Sequence, residues 1–229
     1  MRAPGRLRAR GVVIDLDGTL LDTAADLAAA VNLMLDELGR DRLPESTVAS
    51  YVGKGAEVLV HRALGGGLDA RADAATFARG HDAFMRHYAL ENGRQARAYD
   101  GVREGVAAMR AMGLRLACVT NKPQAFADPL LDRAGLRSAF DLVLGGDALP
   151  RKKPDPMPML HAARELGTAP REMVAIGDSV NDALAARAAG MAVLAVPYGY
   201  NEGRDVDSLD VDGIVQSLLE AAALIDPID

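Results

Sequence analysis

Five short apolar runs rich in Val, Ile or Leu punctuate the chain: Gly11 to Leu16, Leu114 to Val119, Asp141 to Leu144, Met173 to Ile176 and Ala192 to Val196. They lack the strict alternation of a strand with one wet face, which predicts strands covered on both sides, as in a parallel sheet. Between them lie helical segments, and Gly113, Gly135, Gly167 and Gly190 stand where helices close in the left-handed conformation. Asp100 is the expected N-cap of the helix that ends at Gly113. Pro129 falls inside the helix placed before Gly135, so a kink or a later start is expected there. The alternation of strand and helix predicts an α/β fold: a doubly wound parallel sheet, Rossmann-like, wrapped by helices on both faces.

One interval breaks this pattern. Residues 23–96 carry no strand signal and read as helices: Ala24 to Leu38, a short piece after Pro44, Glu57 to Leu64, and Ala72 to Leu90. An all-helical insertion of this length predicts a cap domain, 23–96, on a core of 1–22 and 97–229. Its hinges fall near Asp22-Thr23 and between Gly93 and Asp100. Gly65-Gly66-Gly67 marks a loop in the cap; no strand precedes it, so it lacks the context of a phosphate-binding fingerprint.

Two carboxylates with one residue between them, Asp15 and Asp17, sit where the first apolar run meets the turn Gly18-Thr19. Alternate residues of an extended chain project to one side. Burying two like charges there gains folding nothing, whereas a divalent cation or phosphoryl chemistry gives them a use. Three more polar clusters follow later strands: Thr120-Asn121, Lys152-Lys153 before Pro154, and Asp178 with Asp182. Ligands of open α/β sheets bind outside the carboxyl ends of the strands, which places all four clusters on one rim. A carboxylate such as Asp15 can attack phosphorus, Asp17 can then give a proton to the departing oxygen, and Thr120 and Lys153 can hold a phosphoryl group. Asp15 and Asp178, with the Asp17 carbonyl, supply the hard oxygens that Mg²⁺ prefers, and Asp182 lies one helical turn on as a support. Each cluster also has a plainer reading. Asp17-Gly18 makes a turn, Thr120 or Asn121 caps a helix, Lys153 lies in a solvated loop, and Asp178 and Ser179 cap the next helix.

Asp15-Leu16-Asp17-Gly18-Thr19, Val119-Thr120-Asn121, Lys153-Pro154 and Gly177-Asp178-Ser179-Val180-Asn181-Asp182 together resemble the four motifs of haloacid dehalogenase-like phosphohydrolases. The resemblance spans nearly the whole chain, the helical insertion included. It implies Asp15 as nucleophile, Asp17 as acid and base, and Thr120 and Lys153 on the phosphoryl group, with Gly18, Thr19 and Asn121 beside it. It also implies Mg²⁺ on Asp15, Asp17 and Asp178. Thr120-Asn121-Lys122-Pro123, Gly145-Gly146-Asp147 and the cap segment Tyr51-Val52-Gly53-Lys54-Gly55-Ala56 are similar to the bacterial phosphoglycolate phosphatase branch, which implies hydrolysis of 2-phosphoglycolate. Phosphatases of other small esters, nucleotides or pyrophosphate share much of this pattern. A receiver-like switch, phosphorylated on Asp15, is the alternative from another class. Lys54, between two glycines and before a helix N-terminus, is the cap's candidate for the substrate carboxylate. His61 and Arg62 read as solvated helix positions.

Composition narrows the partners. A net charge of −6 over 229 residues argues against nucleic acid, whose phosphates demand Lys and Arg. No apolar stretch approaches the roughly 20 residues that cross a bilayer, so no membrane partner is expected. Arg2, Arg6, Arg8 and Arg10 precede an apolar run that Asp15 interrupts, which argues against a signal peptide and leaves the Arg-rich segment as an extra extension. Cys118 is the only cysteine and sits in an apolar run, as a buried, inert thiol does; a reducing cytoplasm suits it. The expectation is a cytoplasmic monomer or homodimer acting on a small phosphorylated metabolite.

Overall fold

The computed structural model of the chain describes residues 5–228, so Arg2 lies outside the described residues. Its centre is a six-stranded parallel sheet built from β2 (Gly11–Ile14), β5 (Arg115–Val119), β6 (Leu142–Leu144), β7 (Met173–Gly177), β8 (Ala192–Ala195) and β9 (Gly213–Ile214). Their spatial order is β6-β5-β2-β7-β8-β9. The winding runs outward from β2 through β5 to β6, then returns to β2's other side with β7. The C-terminal end of β2 is therefore the switch point, where such sheets leave a crevice for ligands.

Alternation along each strand gives the sheet two cores. Val12, Ile14, Leu116, Cys118, Val174 and Ile176 face one side, packed with α5 (Val102–Ala111), α6 (Gln124–Arg133) and α9 (Leu218–Leu224). Val13, Ala117, Val119, Ala175 and Val193 face the other, under α7 (Met157–Glu165) and α8 (Val180–Ala189). Burial on both faces explains the continuous apolar strands.

Between β2 and α5 come α1 (Ala24–Glu37), α2 (Glu45–Ser50), α3 (Ala56–Gly65) and α4 (Ala74–Glu91). Leu27, Val31, Met34, Val60, Phe84 and Tyr88 of these helices form a separate apolar cluster, joined from the sheet side by Phe126 and Tyr200. Where the chain enters and leaves this region, β3 (Leu21–Asp22) pairs antiparallel with β4 (Arg97–Ala98). Asp26, fully buried in the first turn of α1, accepts hydrogen bonds from the backbone N–H of Gly93 (2.8 Å), Gln95 (2.8 Å) and Ala96 (3.2 Å).

Some expectations need correction. The N-cap of α5 is Gly101, at φ 76°, and not Asp100, because the turn into this helix needs the left-handed region. The helix α6 starts at Gln124 and runs through Pro129. Part of the Arg-rich N-terminus is structural: β1 (Leu7–Ala9) pairs parallel with β10 (Ile225–Pro227), and Arg6 donates to Asp226. Arg62 is not solvated. It is 2% exposed and donates to Leu68 O (2.8 Å), Tyr51 O (2.9 Å) and Glu202 (2.5 Å), tying two turns of the helical insertion to the loop that follows β8. His61 is half-buried and stacks on Phe77 with centroids 4.0 Å apart. Among the described residues no helix is long and apolar enough to cross a membrane.

Candidate active site

Asp15 follows the last residue of β2, and its N–H still donates to Ile176 O at 3.0 Å. Sheet hydrogen bonding thus fixes it at the rim of the switch-point crevice. Its side chain is only 12% exposed, and Lys153 Nζ lies 2.8 Å from Oδ1. The same ammonium donates to Asp182 Oδ1 and to Val119 O, each at 2.7 Å. Two hydrogen bonds and the ion pair to Asp15 hold Lys153 in place. Asp182 is held in turn, because Ser179 donates to its Oδ2 from N (3.2 Å) and Oγ (2.6 Å) at the start of α8. Ser179, and not Asp178, closes that helix end.

Asp178 is turned to other work. Its Oδ1 accepts from Thr19 Oγ1 (2.9 Å) and its Oδ2 from Tyr200 N (2.5 Å). Gly18, at φ 87°, and Gly199 crowd this carboxylate so closely that a Cβ on either would strike it. Carboxylate oxygens of Asp15, Asp178 and Asp182 lie within 4.8 Å of one another. Burial, and then the charge of Asp182, raise the Asp15 pKa to about 7 against the pull of Lys153. Burial followed by Asp182 and Asp15 also raise Asp178. Three carboxylates here share one ammonium, and that excess of hard, negative oxygen fits a divalent cation.

Asp17 points away from this cluster. Its Oδ1 accepts from Thr23 Oγ1 (2.8 Å) and Lys122 Nζ (2.8 Å), and Lys122 also reaches Oδ2 at 3.0 Å. Lys122 is 4% exposed. Burial alone would lower its pKa; Asp17 outweighs that and holds it raised. Thr120 is buried, and its Oγ1 accepts from Lys122 N at 3.1 Å. Asn121 donates to Gly53 O and Lys153 O, both at 2.9 Å, while its Oδ1 is buried without a hydrogen-bond partner. The N-cap of α6 is Pro123, so neither Thr120 nor Asn121 caps that helix. Burial, then the Asp15 charge, push the Cys118 thiol up and away from reactivity.

A cavity of about 40 Å³ opens between the sheet rim and the helical insertion. Asp15, Asp17, Thr120, Asn121 and Lys122 line it from the core, and Leu27, Val52, Gly53, Gly55, Leu59, Phe84 and Tyr88 from above. That is room for about three waters, a space for a small molecule. Lys54 does not line this cavity. Its Nζ pairs with Glu202 at 2.9 Å on the far side of the Gly53–Gly55 turn. Gly18 and Thr19 also stay outside it and support Asp178 instead. The sequence reading assigned no role to Lys122, Thr23, Tyr88 or Tyr200. Lys122 had a signal, since it follows the rim pair Thr120-Asn121, but Tyr200 lies far along the chain in a loop without periodicity.

A family model for haloacid dehalogenase-like hydrolases matches residues 9–190. A phosphoglycolate phosphatase of Nitrosospira multiformis is 57% identical over 216 residues, covering 94% of this chain and 95% of that protein. One from Thiobacillus denitrificans is 51% identical with the same coverage. Among solved structures, a predicted phosphoglycolate phosphatase from Haemophilus somnus superposes with a TM-score of 0.89 at 32% identity, covering 94% of this chain and 97% of that one. With its carboxylates at the switch point, its acidic cluster and the matched span, the chain belongs to the haloacid dehalogenase-like hydrolases.

Proposed function

We propose that the protein hydrolyses 2-phosphoglycolate to glycolate and phosphate through a phosphoaspartate on Asp15, with Mg²⁺ as cofactor. The observation that carries this reading is the separation of the two motif carboxylates: Asp15 lies in the acidic cluster with Lys153, while Asp17 is turned to Lys122 and Thr23. Two environments suit two roles. An Asp15 oxygen attacks phosphorus as the phosphorus–oxygen bond to glycolate breaks. Asp17, once protonated, gives that proton to the departing oxygen, then as a carboxylate takes one from water as that water attacks the phosphorus and frees Asp15.

Thr120 and Lys153 would take the negative charge that gathers on the phosphoryl oxygens. Asp15, Asp178 and the Asp17 carbonyl would hold the Mg²⁺, and Asp182 would keep Lys153 in place. When bound, the cation neutralises phosphoryl and carboxylate charge at once. Residues 23–96 serve as the cap, closing the cavity against water while the acyl phosphate exists. The relatives named phosphoglycolate phosphatase and the small cavity support the substrate over nucleotides. The test is kcat/KM across phosphate monoesters with Mg²⁺. The reading requires 2-phosphoglycolate to exceed nucleotides, sugar phosphates and pyrophosphate, and a flat profile contradicts it.

A further inference from the structure

The cavity has a second polar end, formed where Lys122 of the core meets Tyr88 of α4. Lys122 Nζ sits 4.9 Å from the centroid of the Tyr88 ring. Tyr88 is 2% exposed, and its hydroxyl is buried with no well-formed hydrogen bond. A buried hydroxyl left without a partner is costly, and native chains seldom keep one without a use. The neighbouring walls are Leu27, Val52, Leu59 and Phe84, which offer it nothing polar.

We infer that Lys122 and Tyr88 form the subsite for the carboxylate of the substrate, the acidic group that is not transferred. This rests on the phosphoglycolate reading above and adds the residues that choose the acid. The chemistry fixes the position. Asp17 must reach the bridging oxygen of the ester, and in phosphoglycolate the carboxylate carbon is two bonds beyond that oxygen. Lys122 holds Asp17 at 2.8 and 3.0 Å, so the ammonium stands beside the bridging oxygen's neighbours. Two of its contacts go to Asp17, and the ammonium also interacts with Tyr88, so the two groups together can meet a second anion. The Tyr88 hydroxyl supplies a donor beside the ammonium. Lys54, whose ammonium is paired with Glu202 outside the cavity, does not fill this place. The subsite exists only while α4 lies over the rim, so a substrate without the acid forfeits part of the closure.

The test compares 2-phosphoglycolate with ethyl phosphate, which has the same chain length and no carboxylate, using wild-type protein, Tyr88→Phe and Lys122→Met. The readout is the ratio of kcat/KM for the two esters. Tyr88→Phe keeps the ring and its packing, which protects the fold. We expect this variant to lower the ratio by about tenfold, through KM on 2-phosphoglycolate, the size of one lost hydrogen bond to a charged group. Lys122→Met should lower the ratio at least as far while also slowing both esters through Asp17. A wild-type preference for 2-phosphoglycolate that both variants leave intact overturns the subsite and spares the substrate reading. A wild-type protein with no preference for the carboxylated ester overturns both.

Discussion

Lys153 meets three oxygens at once, hydrogen-bonded to Asp182 and Val119 and ion-paired with Asp15. A lysine so placed has lost its usual freedom before any ligand arrives, and that preorganisation is what makes a cation effective against developing phosphoryl charge. Lys153→Ala should raise the barrier by about 3 kcal/mol, a loss of about a hundredfold in kcat/KM, with the fold checked by circular dichroism. A loss below about threefold would remove Lys153 from the site. This residue was legible in the sequence because it stands in Lys-Pro-Asp-Pro, a setting that cannot propagate a helix. Asp15 and Asp178 were legible as carboxylates at the ends of apolar runs. The roles of Thr19 and Tyr200 were not. Each acts through Asp178, from 159 and 22 residues away in the chain, and only folding brings them to it.

Elements with continuous apolar burial were readable to within two residues at each boundary, since a strand covered on both faces leaves nothing else for its sequence to say. The short pairs were not. Leu21–Asp22 against Arg97–Ala98, and Leu7–Ala9 against Ile225–Pro227, are too brief for any period to register. Yet the first of these joins the two connections of the helical insertion, and Asp26 reinforces it. One carboxylate at the N-terminal turn of α1 collects three N–H groups from residues 93–96, so the incoming and outgoing strands act as a unit. Asp26→Ala leaves those donors buried or poorly solvated. It should lower stability by about 3 kcal/mol, read from urea denaturation at unchanged m-value. A loss under about 1 kcal/mol would mean that the junction holds without it.

The molecule as a whole gathers three largely buried carboxylates at the rim of its sheet, beside the cavity that faces the helical insertion. That arrangement couples protons, cation and stability. The folded Asp15 pKa of about 7 lies above its ordinary value of 3.8, through burial and then the Asp182 charge, and Asp178 moves the same way. A proton on such a group favours the folded chain; this contribution is complete below about pH 3.8 and lost as pH rises through about 7. A divalent cation replaces those protons, so the rise in Tm on adding MgCl₂ should be larger near about pH 8 than near about pH 5. An equal or reversed effect would contradict the assignment of the acidic cluster to a cation. The central claim, that Asp15 carries the phosphoryl group between substrate and water, is tested most directly by the stereochemistry of transfer. Hydrolysis in ¹⁷O-water of the phosphorothioate analogue of 2-phosphoglycolate, made chiral at phosphorus with ¹⁶O, ¹⁸O and sulfur, should give chiral thiophosphate with net retention, from two successive inversions. Net inversion would mean that water attacks the substrate directly, and that Asp15 is never phosphorylated.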